Sequence, residues 1–383
     1  MEKPSLLAHA YEHADSKTSA TISQGRAAKS ALQHKSETST TQKISATRMQ
    51  SVRDRFRSQG LSEDATEFVM SSWRESTQQM YDVYIRQWVR YAREKKVDQF
   101  SPPLTTAINF LAQLAKRDLA YSAVCTARSA LSSYLCTYDG AAFGCNELVK
   151  RLMKGVFEKK PALPRRKNTW DVNIVLKELE TWIPTEKLTL KELTYKLCML
   201  IALLSGQRCQ TIQALQITPD AMQLTDSKCT FHVNSLLKHS RRGTHQAPIE
   251  LHSFKTKESL CVVRVLQEYL NRTRKLRGDC PNLFVTLLAP HTAAATDTIS
   301  RWLKETLARA GVDTSVFTAH STRSASTSAA KDSGTPINVI MSAAGWTNAS
   351  TFAKFYQKTT DTEKNFGQAI MTRYLTKKYG KKK

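Results

Sequence analysis

Two short stretches of this 383-residue chain carry side chains suited to holding an anion. Arg208 lies in Ser205-Gly206-Gln207-Arg208-Cys209, directly after an apolar run, and Arg323 closes His320-Ser321-Thr322-Arg323. A guanidinium is planar, donates paired hydrogen bonds and does not titrate, which suits the two free oxygens of a phosphodiester. On a helix, positions i and i+3 share a face, so His320 would stand beside Arg323. If a side chain is to displace an oxygen of a phosphodiester without metal, three things are needed. The anionic oxygens must be held, the attacking group aligned, and the leaving alkoxide given a proton.

Each residue also has a plainer reading. Arg208 alone reads as an ion-paired helix-end arginine, and His320 alone as a capping or core histidine. Downstream stand Ala344-Gly345-Trp346 and Phe352-Ala353-Lys354-Phe355-Tyr356. Trp346 alone reads as core packing. Tyr356 is one of 12 tyrosines and is flanked by Phe352 and Phe355, which by itself describes a core aromatic. Order and context have to supply the specificity.

The composition narrows the partners. Lys and Arg total 57 against 33 Asp and Glu, a formal charge of +24, and such an excess points to an anionic partner, nucleic acid first. A spanning helix needs about 20 apolar residues, and the longest apolar stretch, residues 197–204, is far shorter; no membrane role is expected. The eight cysteines are irregularly spaced, with no C-x-x-C pair and no histidine at zinc-ligand spacing, so they read as reduced thiols, with no metal site. The first residues lack the apolar run of a secretory signal. Lys377-Lys378, Lys381-Lys382-Lys383 and Arg165-Arg166-Lys167 would serve nuclear entry in a eukaryotic host; otherwise the cytoplasm is expected.

The elements that must position these groups follow from hydrophobic period. Residues 1–61 are rich in Ser, Thr, Ala, Gln, Lys and Arg and read as a basic disordered arm. From residue 62, Trp73, Met80, Tyr81, Tyr84, Ile85, Trp88, Val89 and Tyr91 recur at helical steps. Further helices are expected near residues 108–114, 124–135 and 148–156, giving a small all-helical domain over 62–157. Its aromatics read as core, and Arg74, Arg86, Arg90 and Arg93 as phosphate contacts on the opposite face. Residues 158–170 form a basic linker containing Arg165, Arg166 and Lys167, with Pro161 and Pro164 biasing it towards extended backbone. A larger mixed domain is expected over 171–374, before a Lys-rich tail, 375–383. Its expected elements are helices over 172–182, 190–204, 262–276 and 297–310, and a hairpin of residues 229–234 and 246–251. Lys238, Arg241 and Arg242 lie between those strands as turn material. The fold class is thus mainly α with a small antiparallel sheet.

Taken in order, these residues resemble the tyrosine recombinase, or phage integrase, family across roughly residues 62–370. That family's pattern runs from an arginine after an apolar helix, through a hairpin lysine and an H-x-x-R box, to a His or Trp after Gly and a nucleophilic tyrosine. Arg208, Lys238, His320, Arg323, Trp346 and Tyr356 match it in sequence. The stretch Ala319-His320-Ser321-Thr322-Arg323-Ser324-Ala325-Ser326-Thr327 looks most like recombinases of eukaryotic mobile elements, the DIRS-type retrotransposons and cryptons. The resemblance implies a C-shaped clamp of core-binding and catalytic domains on double-stranded DNA, acting as a homotetramer. It implies attack by Tyr356 to give a 3′-phosphotyrosyl bond, with Lys238 as general acid for the 5′ oxygen and His320 as an acid-base or orienting group. No cofactor is implied. Arg241 and Arg242 would touch DNA near Lys238. Two departures stand out: Thr211 replaces an acidic residue three positions after the first arginine, and ten residues separate Trp346 from Tyr356 where nine is commoner. The competing functions are a recombinase-derived DNA-binding protein without catalysis, and a type IB topoisomerase.

Overall fold

The computed structural model describes residues 49–161, 168–237, 240 and 247–346, and the chain divides between Pro164 and Arg165 into two compact units. In the first, α1 (Gln50–Ser58), α2 (Glu63–Met70), α3 (Glu75–Glu94), α4 (Leu104–Lys116), α5 (Tyr121–Tyr134) and α6 (Glu147–Lys159) surround one core. The aromatic face of α3 turns inward, as its spacing requires. Trp88 is fully buried, meets Phe110 edge to face at 5.4 Å, and donates its indole N–H to the Gln99 carbonyl at 2.8 Å.

Two expectations for this unit are corrected. The arm does not extend to residue 61, because Met49, Val52 and Phe56 fall on one face of α1, and Met49 and Val52 are buried. Specific polar contacts add to this: the Met49 amide donates to buried Asp82 at 3.1 Å, and Arg53 pairs with Glu67 at 2.6 Å. Nor is the unit wholly helical. β1 (Thr137–Tyr138) and β2 (Ala141–Ala142) form a tight hairpin about Asp139 and Gly140, both at positive φ, the geometry for which Asp-Gly is suited.

The second unit is built around α8 (Leu190–Ser205). Thr189 and Glu192 form a capping box at its start, with Glu192 N to Thr189 Oγ1 at 3.2 Å and Thr189 N to Glu192 Oε2 at 3.0 Å. Residues 193–203 are buried on every side. α7 (Val172–Thr181), α9 (Cys209–Gln213), α10 (Val262–Thr273), α11 (Thr296–Arg309), α12 (Ser321–Asp332) and α13 (Ile337–Ala344) complete the α-helices among the described residues. The expected pair of strands is present as β4 (Lys228–Phe231) and β5 (Ile249–His252), antiparallel, with Cys229 opposite Leu251 and Phe231 opposite Ile249. A third strand, β3 (Met222–Leu224), extends the sheet in the order β3-β4-β5. The unit is therefore mainly α with a small antiparallel sheet. Among the described residues no helix is long and apolar enough to cross a membrane.

One residue of α8 breaks its apolar character. Lys196 is fully buried and donates Nζ to the Trp182 carbonyl at 2.6 Å. Burial pushes its ammonium down to about 8, against the opposing pull of the Glu186 charge. Between that value and its ordinary 10.5, the unfolded chain binds more protons at this site than the folded one. The contribution of Lys196 to stability therefore rises with pH through that window and is flat below it. Lys196→Met should abolish the rise. Urea midpoints followed from about pH 7 to pH 10.5 would test this, and parallel curves for the two proteins would refute it.

Candidate active site

The apolar helix α8 stops at Gly206, which takes the left-handed conformation (φ 58°) and so suits glycine. Gly206 also lies close to α12: a Cβ built there would meet Thr327 Cγ2 at 3.4 Å. From this turn Gln207 leads to Arg208, which flanks the start of α9. Arg208 is half-buried and Gln207 is buried. The thiol of the next residue, Cys209, is pushed up to about 11 by burial.

His320 flanks the start of α12 and is exposed. Ser321 fixes that end of the helix: its hydroxyl donates to the Thr318 carbonyl at 2.7 Å and accepts from the Trp170 indole N–H at 2.9 Å. The small residues that follow allow α12 to lie against α8, and the Ser326 hydroxyl donates to the Leu203 carbonyl. One turn into α12, Arg323 points inward and is 1% exposed. Its Nη1 donates to the Gly206 carbonyl and its Nη2 to the Ala344 carbonyl, both at 2.6 Å. The guanidinium carbon lies 4.3 Å from the centre of the Trp346 ring.

Helix α13 ends at Ala344, and Gly345 is again left-handed (φ 66°). The last carbonyls of a helix have no partner within it and carry partial negative charge. Here Ala344 is answered by Arg323 and Ala343 by the Gln207 amide, at 2.6 Å. Trp346 then folds back, 8% exposed, over the Arg323 guanidinium.

Of the expected site residues, Arg323 and Trp346 are in direct contact, Arg208 stands two residues beyond the Gly206 carbonyl that Arg323 holds, and His320 lies one helical turn before Arg323. Lys238 and Tyr356 lie outside the described residues, as do Arg165, Arg166, Lys167, Arg241 and Arg242. The flanks of Lys238 are set, for Leu237 is buried and its N–H donates to Ser240 Oγ at 2.9 Å. Arg74, Arg86, Arg90 and Arg93 are exposed; the last three share one face of α3, and Arg86 pairs with Asp82. Sequence reasoning gave Arg323 only an anion-holding part, whereas the structure makes it a link between helix ends. It also missed Gln207 and Trp170, whose partners are a backbone carbonyl and a distant serine that no local pattern announces.

An arginine after an apolar helix, an H-x-x-R helix and a Gly-Trp step, on a mainly helical domain with a small antiparallel sheet, define the catalytic domain of tyrosine recombinases. Residues 174–363 match the phage integrase family, and this part of the chain is a tyrosine recombinase domain of that family. Among solved structures, the fold is similar to XerH site-specific recombinase bound to palindromic difH substrate, in a post-cleavage complex. That match has a TM-score of 0.52 at 12% identity and covers 79% of this chain and 80% of the other. The Tn1549 transposon integrase in complex with transposon right end DNA matches with a TM-score of 0.50 at 12% identity, covering 86% of this chain and 98% of the other. A search of curated proteins gives no match.

The two arginines should differ in what they do for the fold. Arg323→Ala removes a buried cation and strands two helix-end carbonyls, at an expected cost of about 3–5 kcal/mol. Arg208→Ala, at a half-buried position, should cost about 1 kcal/mol or less. Equal losses in urea unfolding would show that Arg323 is not the structural link described.

Proposed function

We propose that this chain is a site-specific DNA recombinase or integrase, of a mobile element, that cuts and rejoins double-stranded DNA through Tyr356. The observation that carries the reading is the joining of the Arg208 turn, the H-x-x-R helix and the Gly345-Trp346 step through the single guanidinium of Arg323. Groups far apart in sequence are thereby fixed relative to one another, which is what a phosphoryl-transfer site requires. The net charge of +24 and the arginine face of α3 fit a polyanionic duplex.

In this mechanism Arg208 holds an unesterified oxygen of the scissile phosphate and Arg323 supports it, by its charge and by fixing the loop that carries Arg208. A free tyrosine titrates near 10, so the Tyr356 hydroxyl gives up its proton as its oxygen attacks phosphorus, with His320 available to accept or orient it. The bond from phosphorus to the 5′ oxygen breaks, and Lys238 supplies the proton that makes a 5′-hydroxyl. The DNA 3′ end stays esterified to Tyr356. A 5′-hydroxyl from either duplex can reverse the step, so the bond energy is retained and no nucleotide is consumed. The reaction is assigned to four protomers on two duplexes and, in a eukaryotic host, to the nucleus.

A second reading is favoured by one observation: both Nη atoms of Arg323 are engaged by backbone carbonyls. That is the arrangement expected of a DNA-binding protein in which the H-x-x-R arginine serves the fold alone. Covalent trapping separates the two. On a nicked suicide DNA substrate the wild-type chain should form a protein–DNA adduct, and Tyr356→Phe should form none while binding the duplex as before. Absence of an adduct with wild type would leave the DNA-binding reading. Under either, affinity should fall on the order of 10³-fold from 50 to 200 mM salt if about six phosphates are neutralised. Salt-independent binding would contradict both.

A further inference from the structure

We propose that Gln207 is a positioning residue for Arg208, an inference that rests on the recombinase reading above. Gln207 is 6% exposed and lies between Gly206, whose carbonyl is held by Arg323, and Arg208. Its side chain reaches across to the end of α13, where Nε2 lies 2.6 Å from the Ala343 carbonyl. That carbonyl can only accept, so the amide orientation is fixed: the NH2 faces Ala343 and Oε1 points the other way. Among the described residues Oε1 is buried without a hydrogen-bond partner. Burying an unanswered acceptor is unfavourable. A side chain chosen for packing alone would be apolar here, so the use of the amide lies at its other end, in the bond to Ala343.

The bond has a definite consequence. Adjacent residues of the turn, Gly206 through its carbonyl and Gln207 through its side chain, are tied to adjacent residues at the end of α13, Ala344 and Ala343. With Arg323 alone, the turn could pivot about the Gly206 carbonyl. A second tie one residue later removes that freedom and sets the direction in which the chain enters Arg208. The same pair of ties fixes the helix end from which Gly345 and Trp346 emerge. Gln207 thus registers the phosphate-holding arginine against the Trp346 segment without touching the phosphate.

The test uses the full chain and the nicked suicide substrate. Gln207→Met keeps length and approximate volume but has no N–H to give. Single-turnover cleavage at saturating DNA should fall about 10- to 100-fold, the size expected of a misaligned reacting group, with duplex affinity unchanged and the melting temperature lowered by no more than about 5 °C, the size of one lost buried hydrogen bond. In an Arg208→Lys background the same substitution should add little further loss, because both changes act through one side chain. Should Gln207→Met not fold, Gln207→Leu, apolar and close in volume, is held to the same outcomes. Wild-type cleavage rates in the variant, losses that multiply with Arg208→Lys, or failure of both variants to fold would each overturn the positioning role. If the wild-type chain itself forms no adduct, the recombinase reading fails and this inference with it.

Discussion

A single buried guanidinium organises the second unit. Arg323 is almost wholly removed from water, and an unpaired cation in that position would be strongly unfavourable. It is stabilised by what surrounds it. The Gly206 and Ala344 carbonyls come from the ends of α8 and α13, where the aligned peptide dipoles leave partial negative charge. The Trp346 ring offers its electron-rich face from a third direction. Helix ends that would otherwise need water are satisfied by the same group, so the desolvation of the cation and that of the carbonyls offset one another.

This dependence explains the character of the surrounding sequence. Gly206 and Gly345 both turn left-handed where α8 and α13 stop, and the Gly206 and Ala344 carbonyls meet one centre. α12 must approach α8 closely, which its Ser, Thr and Ala residues permit; bulkier side chains would hold Arg323 away from Gly206. The first turn of α12 is secured separately, by Trp170 and Thr318 acting on the Ser321 hydroxyl, which fixes the helix end that carries His320. Arg208 sits beyond these constraints, half-buried, with its approach set by the turn before it.

Much of the scaffold was legible in the residues themselves. The apolar run of α8, the period of α3 and the alternation of β4 and β5 each follow from burial of one face, or of all faces, and the helix and strand positions agree with them. The missed start of α1 shows where composition misleads: Met49, Val52 and Phe56 carry a helical period, but they are diluted among Ser, Gln and Arg. Their ordering also depends on Asp82, 33 residues away from Met49. Arg208, His320, Arg323 and Trp346 stand out in the sequence as an ordered set, and the contact of Arg323 with Trp346 is what the structure adds. The linking part of Arg323 was not legible, since its partners are backbone carbonyls, and every residue type has one. Gln207 was invisible for the same reason.

Lys196 has a consequence of another kind. The side chain is covered, with its amine tied to the Trp182 carbonyl. An acylating reagent in water meets exposed lysines at once but reaches Lys196 only when the segment carrying the Trp182 carbonyl moves away from it. The rate at which that one amine is marked is therefore a clock for the opening of that segment over α8.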